Sequence, residues 1–128
     1  MKVFQTAQIR NIGLIGHGSS GKTTLDEALL FNLKETNRIG SIEQGSTTSD
    51  YNADEINRQI SINTSLTHGT WKDTKINIID TPGYSDFFGE VVGTMRVLDT
   101  AFLVVSAASG VEVGTEMGWQ EAEKNKVP

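Results

Sequence analysis

The 128-residue chain contains no cysteine and only two prolines. Without thiols it has no disulfide, no cysteine-ligated zinc, no iron–sulfur cluster and no thiol nucleophile. Long apolar runs are missing as well. The longest unbroken one, Ala101 to Val105, falls far short of the roughly 20 residues that span a bilayer. Residues Met1 to Arg10 interleave Lys2, Gln5, Thr6 and Gln8 with isolated apolar residues, so they lack the apolar core of a secretory signal. Positive charge is the scarcer sign: 11 Lys and Arg stand against 16 Asp and Glu, a net charge of −5 with a pI near 4.9. This balance argues against broad, non-specific binding to nucleic acid and leaves room for a local RNA contact. What is present, 37% hydrophobic and 21% charged residues, is the composition of one globular domain, read as soluble and cytoplasmic, with neither membrane nor DNA as a partner.

Asn11 to Gly16 form a short apolar run ending in glycine, followed by a glycine-rich stretch and then Leu25, Ala28, Leu29 and Leu33 at helical spacing. The reading is strand, loop, amphipathic helix. From Asn37 to Asn63 the chain is polar with little periodicity, a connection long enough to imply function or mobility. Order is predicted to resume from Ile60 to Trp71, with a turn at Lys72 to Thr74 and a strand at Ile76 to Ile79, together a hairpin. Phe87, Phe88, Val91, Val92, Met95 and Leu98 follow a helical spacing over Ser85 to Leu98. Ala101 to Val105 reads as a buried parallel strand, and Thr115 to Asn125 as a weakly amphipathic helix. Strands alternating with helices predict an α/β fold with a mainly parallel sheet, helices on both faces and one antiparallel edge strand from the hairpin.

Gly16, His17, Gly18, Ser19, Ser20, Gly21, Lys22 and Thr23 fit G-x-x-x-x-G-K-[ST] between a predicted strand and a predicted helix, which is the context a phosphate loop requires. Small residues let successive N–H groups turn toward a di- or triphosphate, and the helix N-terminus adds its dipole. Lys22 would bridge the β and γ phosphates, and the Thr23 hydroxyl would ligate Mg²⁺. Asp80, Thr81, Pro82 and Gly83 follow the predicted hairpin strand. There a carboxylate can hold a water on the metal and the Gly83 amide can meet the γ phosphate. Alone, D-x-x-G is no more than an ordinary turn, and its placement after the phosphate loop gives it meaning. His17 is expected to face the loop backbone, and His68 to stand on a strand face rather than on a metal.

GHGSSGKTT, RQISINTS (Arg58 to Ser65) and INIIDTPGYSDFFGEV (Ile76 to Val91) together resemble the GTP-binding domain of the elongation factor G group of translational GTPases, from about Arg10 to Pro128. GYSDF and GVEVGTE are similar to the elongation factor G-like subgroup, rather than to the housekeeping translocase or the tetracycline-resistance ribosomal protection proteins. The resemblance implies a P-loop NTPase of the G-domain type that binds GTP and GDP with Mg²⁺. It also implies the ribosome as partner, through local rRNA contact at the switch regions. Gly16 to Thr23 with Thr24 beside them, and Asp80 to Gly83, would bind the nucleotide; Lys22, Gly83 and Tyr84 would act in hydrolysis. Asn37 to Asn63 corresponds to the first switch, and Ser61 supplies the hydroxyl that would join Thr23 and Asp80 around the metal, or else is only the polar face of a strand start.

Three departures from the family pattern cluster at the γ phosphate. Tyr84 stands where His usually follows DTPG, Ser19 where Asp is usual, and Gly18 where Ile or Val is usual. A phenol can hold a water by hydrogen bonds but does not take its proton at neutral pH. Gly18 and Tyr84 are expected to belong together, the ring using space that the missing side chain leaves; independent drift at both sites is the alternative. The guanine-selecting Asn-Lys-x-Asp motif of the family would lie beyond Pro128, so the chain reads as a partial, C-terminally incomplete GTP-binding domain of a larger factor, weak or inactive by itself. Three functions follow: a GTPase module of an elongation factor G-like or ribosomal protection factor, a nucleotide-responsive binding module with negligible hydrolysis, and a P-loop ATPase of another kind.

Overall fold

Ile9, Ile12, Leu14 and Ile15, spread over both faces of the strand Ile9–Ile15, build an inner strand of the sheet, and the rest of the fold is arranged around it. The computed structural model describes residues 3–128. In chain order the elements are β1 (Ile9–Ile15), α1 (Lys22–Asn32), α2 (Ala53–Arg58), β2 (Ser65–Trp71), β3 (Thr74–Asp80), α3 (Phe88–Thr94), β4 (Thr100–Leu103) and α4 (Val113–Asn125). The sheet order is β2-β3-β1-β4, with β1 parallel to both β3 and β4, and β2 antiparallel to β3. This is the predicted α/β architecture with its one antiparallel edge strand. On one face Ile12 and Ile78 line a small apolar pocket with Leu29 of α1 and Leu33 just after it. On the other, Ile15 packs with Val91, Met95, Leu98, Leu103 and Ala122, from α3, α4 and the segments between. Of these, Ile15, Ile78, Val91 and Met95 are buried, and each contributes roughly 1.5–3 kcal/mol.

Several boundaries differ from the sequence reading. α2 interrupts the polar connection, started by a capping box in which Asn52 and Glu55 satisfy each other's backbone amides and ended at Gln59 in the left-handed region, φ 55°. Regular pairing resumes at Ser65 rather than Ile60. The single helix expected over Ser85 to Leu98 is a central α3 flanked by 3-10 turns at Ser85–Phe87 and Met95–Val97; Gly89 and Gly93 weaken the helix within the span. β4 is shorter than expected and is not a fully buried strand. It forms one side of the sheet, with Phe102 43% exposed. Its Ala101 N–H donates to the Pro128 carbonyl at 2.8 Å.

β2 inverts the usual alternation. Ser65, Thr67 and Gly69 are buried, while Leu66 and His68 are exposed. The inner positions must be small because α1 lies close: a Cβ built on Gly69 would stand 2.6 Å from Leu33 Cδ1 and 2.9 Å from Leu33 Cβ. Thr67 instead donates its hydroxyl to the buried Asp26 at 2.7 Å. Gly69→Ala is therefore expected to destabilise the fold by about 1–3 kcal/mol through overpacking, read by thermal unfolding. A melting temperature equal to that of the wild type would contradict this packing.

Candidate functional site

The candidate site lies where the C-terminal ends of β1 and β3 come together. Their parallel register sets Leu14 beside Asp80, so the loop after each strand emerges at the same edge. Residues 16–21 curl between Ile15 and Lys22. Gly16 has φ +149°, and a Cβ there would lie 2.3 Å from the Val104 carbonyl oxygen, so this bend takes glycine. After β3, Thr81 donates its hydroxyl to the Leu14 carbonyl at 2.8 Å, which ties the second loop to β1. Gly83 then passes so close to the first loop that a Cβ would meet Lys22 Nζ at 2.4 Å and the Gly18 nitrogen at 2.6 Å.

Around this junction is a cavity of about 250 Å³, whose walls include Gly18, Lys22, Thr23, Ser61, Gly83 and Tyr84. Thr23 donates to Asp80 Oδ2 at 2.6 Å, and its Oγ1 lies 3.2 Å from Ser61 Oγ. The three residues expected to surround a metal are thus joined. Lys22 is buried, and its ammonium donates to the Gly16 carbonyl at 3.0 Å and to that of His17 at 2.7 Å. Two buried oxygens here have no protein partner, Ser20 Oγ and Asp80 Oδ1. They are suited to ligands that bring donors or positive charge, as a hydrated cation and a phosphate do.

The electrostatics agree. Burial pushes the Asp80 carboxyl up to about 6, against the Thr23 hydrogen bond and the Lys22 charge. Burial lowers the Lys22 ammonium from its usual range, with Asp80 and then Asp50 opposing. Asp50 is raised, again by burial first, despite its hydrogen bond with Ser61.

The expected residues divide in two. Thr24 and Ser19 border the cavity, whereas Thr81 and Pro82 are buried behind it. His17 does not simply face the loop backbone. Its Nδ1 accepts the Gly114 N–H at 3.2 Å, and its Nε2 lies 3.7 Å from Glu112, so it joins the phosphate loop to the start of α4. The Tyr84 ring fills the space over Gly18, where a Cβ would come within 2.8 Å of Cε2 and Cζ. Sequence reasoning missed Ser49, whose hydroxyl donates to Asp80 Oδ2 at 3.3 Å, and Asp50, which lines the cavity. Neither lies in a motif, and the Asn52/Glu55 capping box was the only local sign that their segment is ordered. Among the described residues no cluster of three or more His, Asp and Glu side chains is arranged to hold a metal alone, and no helix is long and apolar enough to cross a membrane.

Behind the site, Asp26 is fully buried, with Oδ2 unpartnered. Burial lifts it to about 7, against the Thr67 hydrogen bond, and the nearby charges of Asp80, Glu27 and Asp50 add to the rise. A carboxyl raised on folding binds more protons in the native than in the unfolded state between its ordinary range and pH 7, so stability falls as pH rises through that window. Asp26→Asn is expected to be more stable than the wild type at pH 8, by on the order of 1 kcal/mol, with the advantage shrinking toward pH 4, as measured by denaturant unfolding. A pH-independent difference would contradict a buried, raised carboxyl.

A family model described as the elongation factor Tu GTP-binding domain matches residues 7–128. A solved structure from Thermus thermophilus is 40% identical, with a TM-score of 0.91 over 95% of this chain. A bacterial selenocysteine-specific elongation factor superposes with a TM-score of 0.70 at 24% identity over 89% of the chain. The Methanococcus maripaludis elongation factor SelB, solved with a GTP analogue, superposes at 0.71 and 21% identity over 100% of it. At these identities the last two matches establish the fold alone. The chain spans 18%, 17% and 22% of the respective proteins. With a family match over nearly its whole length, the chain belongs to the family of GTP-binding domains of elongation factor Tu type, the nucleotide-binding domains of translation elongation GTPases.

Proposed function

We propose that this chain is the nucleotide-binding module of an elongation factor G-like, ribosome-associated factor, and that it converts GTP and water to GDP and phosphate. The observation that carries the reading is the joined set Thr23, Asp80 and Ser61 beside the buried Lys22, with Asp80 Oδ1 buried and left without a partner. Thr23, Ser61 and Asp80 would hold Mg²⁺, directly or through water. When bound, the ion neutralises charge that develops on the β and γ oxygens. Lys22 exchanges its two loop carbonyls for phosphate oxygens, and the Gly83 amide orients the γ phosphate. The rRNA contact at the switches and the remaining domains of the factor belong to the same reading, carried by resemblance.

Tyr84 favours a second reading specifically. Its phenol can position a water without accepting the proton, which suits a switch module with negligible hydrolysis in which GTP and GDP only set the conformation. Single-turnover hydrolysis with and without ribosomes separates the two. Ribosome-stimulated turnover supports the first, and its absence, with nucleotide binding intact, supports the second.

In the full chain, Lys22→Ala is expected to abolish triphosphate binding, because Lys22 is the only cation in the loop. Thr23→Ala and Ser61→Ala are expected to weaken only the Mg²⁺-dependent part. Fluorescent nucleotide titration reads both, and unchanged affinity in Lys22→Ala would refute the site. Gly18→Ile should crowd the Tyr84 ring and slow hydrolysis, Tyr84→His alone should be tolerated, and the double variant should recover activity with a coupling of about 1 kcal/mol. Additive effects on single-turnover rates would show the two positions to be independent.

A further inference from the structure

Between α1 and β2 the chain runs through residues 33–64, and residues 40–50, of which Ile42, Glu43 and Asp50 line the cavity, contain no helix or strand. This part is nevertheless anchored. Glu27 on α1, 1% exposed, accepts the Gly40 N–H on Oε2 at 2.7 Å and the Thr48 N–H on Oε1. One carboxylate therefore holds two amides at opposite ends of a loop. Between them the chain closes on itself, with Ser46 N–H to the Ser41 carbonyl at 3.1 Å and Ser41 N–H to Ser46 Oγ at 3.0 Å. Gly40 is pressed against this anchor: a Cβ there would lie 2.6 Å from Glu27 Oε2 and 2.6 Å from the Ser46 carbonyl oxygen.

The anchor ends where the site begins. Thr48 is followed directly by Ser49, which donates to Asp80, and by Asp50, which lines the cavity and bonds Ser61. On the far side, Glu55 performs a similar task, accepting the Ile62 and Asn63 N–H groups at 3.0 Å each, one residue beyond Ser61. Burial alone would raise Glu55, but its hydrogen bonds from Asn63, Ile62 and Asn52 outweigh it and hold the carboxyl below its usual range. Charge-assisted bonds of this kind are about twice as strong as neutral ones.

We propose that Glu27 is a positioning residue for the metal side of the site. Its carboxylate clamps residues 40–48 in one conformation and so sets Ser49 and Asp50 beside Asp80 and Ser61, making Mg²⁺-dependent binding of a nucleoside triphosphate depend on a side chain that touches neither ion nor nucleotide. The proposal rests on the phosphate-site reading above and adds to it a residue outside both motifs.

Two variants of the full chain test it from opposite ends. Glu27→Gln keeps the shape but turns an NH₂ toward one of the two amides. Gly40→Ala leaves α1 intact and pushes the loop off the carboxylate. Amide hydrogen exchange without nucleotide is expected to accelerate about 10-fold or more at Gly40 and Thr48 in both variants, with β1 and β3 unchanged. The Mg²⁺ concentration that half-saturates GTP binding is expected to rise about 10-fold, while GDP affinity measured in EDTA stays at the wild-type value. Unchanged exchange in both variants would overturn the clamp. Faster exchange with unchanged Mg²⁺ dependence would overturn the positioning role, and parallel loss of metal-free GDP binding would show a merely structural role. Failure of the underlying reading is distinguishable, because the wild-type chain itself would then show no Mg²⁺-dependent GTP binding; that result overturns the proposal as well.

Discussion

The hydrogen bond from Thr23 to Asp80, 2.6 Å long and fully buried, is the joint on which the site depends. It links the first turn of α1 to the last residue of β3, two positions far apart in sequence that only the parallel pairing of β1 with β3 brings together. Once that register is fixed, Gly83 must pass against the phosphate loop and Thr81 must find the Leu14 carbonyl. The cavity is what remains between the two loops. Its lining mixes polar side chains, Lys22, Thr23, Asp50 and Ser61, with Ile42, Ile60 and the Tyr84 ring.

A second constraint is the cost of burying carboxylates. Asp26, Glu27, Asp50, Glu55 and Asp80 are all buried. Glu27 and Glu55 are compensated by backbone amides and thereby order the segment between α1 and β2. Asp80 and Asp26 are compensated incompletely and are raised, Asp80 at the cavity and Asp26 beneath it. The acidic residues near the Gly16–Thr23 loop thus divide into Glu27 and Glu55, held by backbone amides, and Asp26, Asp50 and Asp80, raised by burial, of which Asp26 and Asp80 each keep a buried oxygen without a partner.

What could be read from sequence was what is local. The Gly16 to Thr23 pattern is legible because its glycine spacing, Lys22 and Thr23 are contiguous, and D-T-P-G because a strand end and a turn adjoin. The order of the strands and of α1, α3 and α4 followed from apolar spacing, whereas α2 did not. The rest depends on partners distant in sequence. β2 buries Thr67 instead of Leu66 because Asp26 waits on α1, and no alternation rule carries that information. Ser49, Asp50 and Glu27 belong to no motif, and their roles arise only when the polar connection folds back over α1. His17 looked like a loop residue because Gly114 and Glu112, its partners, lie near the other end of the chain.

The proposed function turns on one arrangement, the cluster of Lys22, Thr23 and Asp80, which would receive the phosphates and Mg²⁺. The most direct measurement is a crystal structure of the full chain with a non-hydrolysable GTP analogue and Mg²⁺. The account predicts Thr23 Oγ1 on the ion at about 2.0–2.1 Å, with Lys22 Nζ moved from the Gly16 and His17 carbonyls onto the phosphates. A nucleotide bound elsewhere, with Lys22 still on those carbonyls and Thr23 still donating to Asp80, would contradict it.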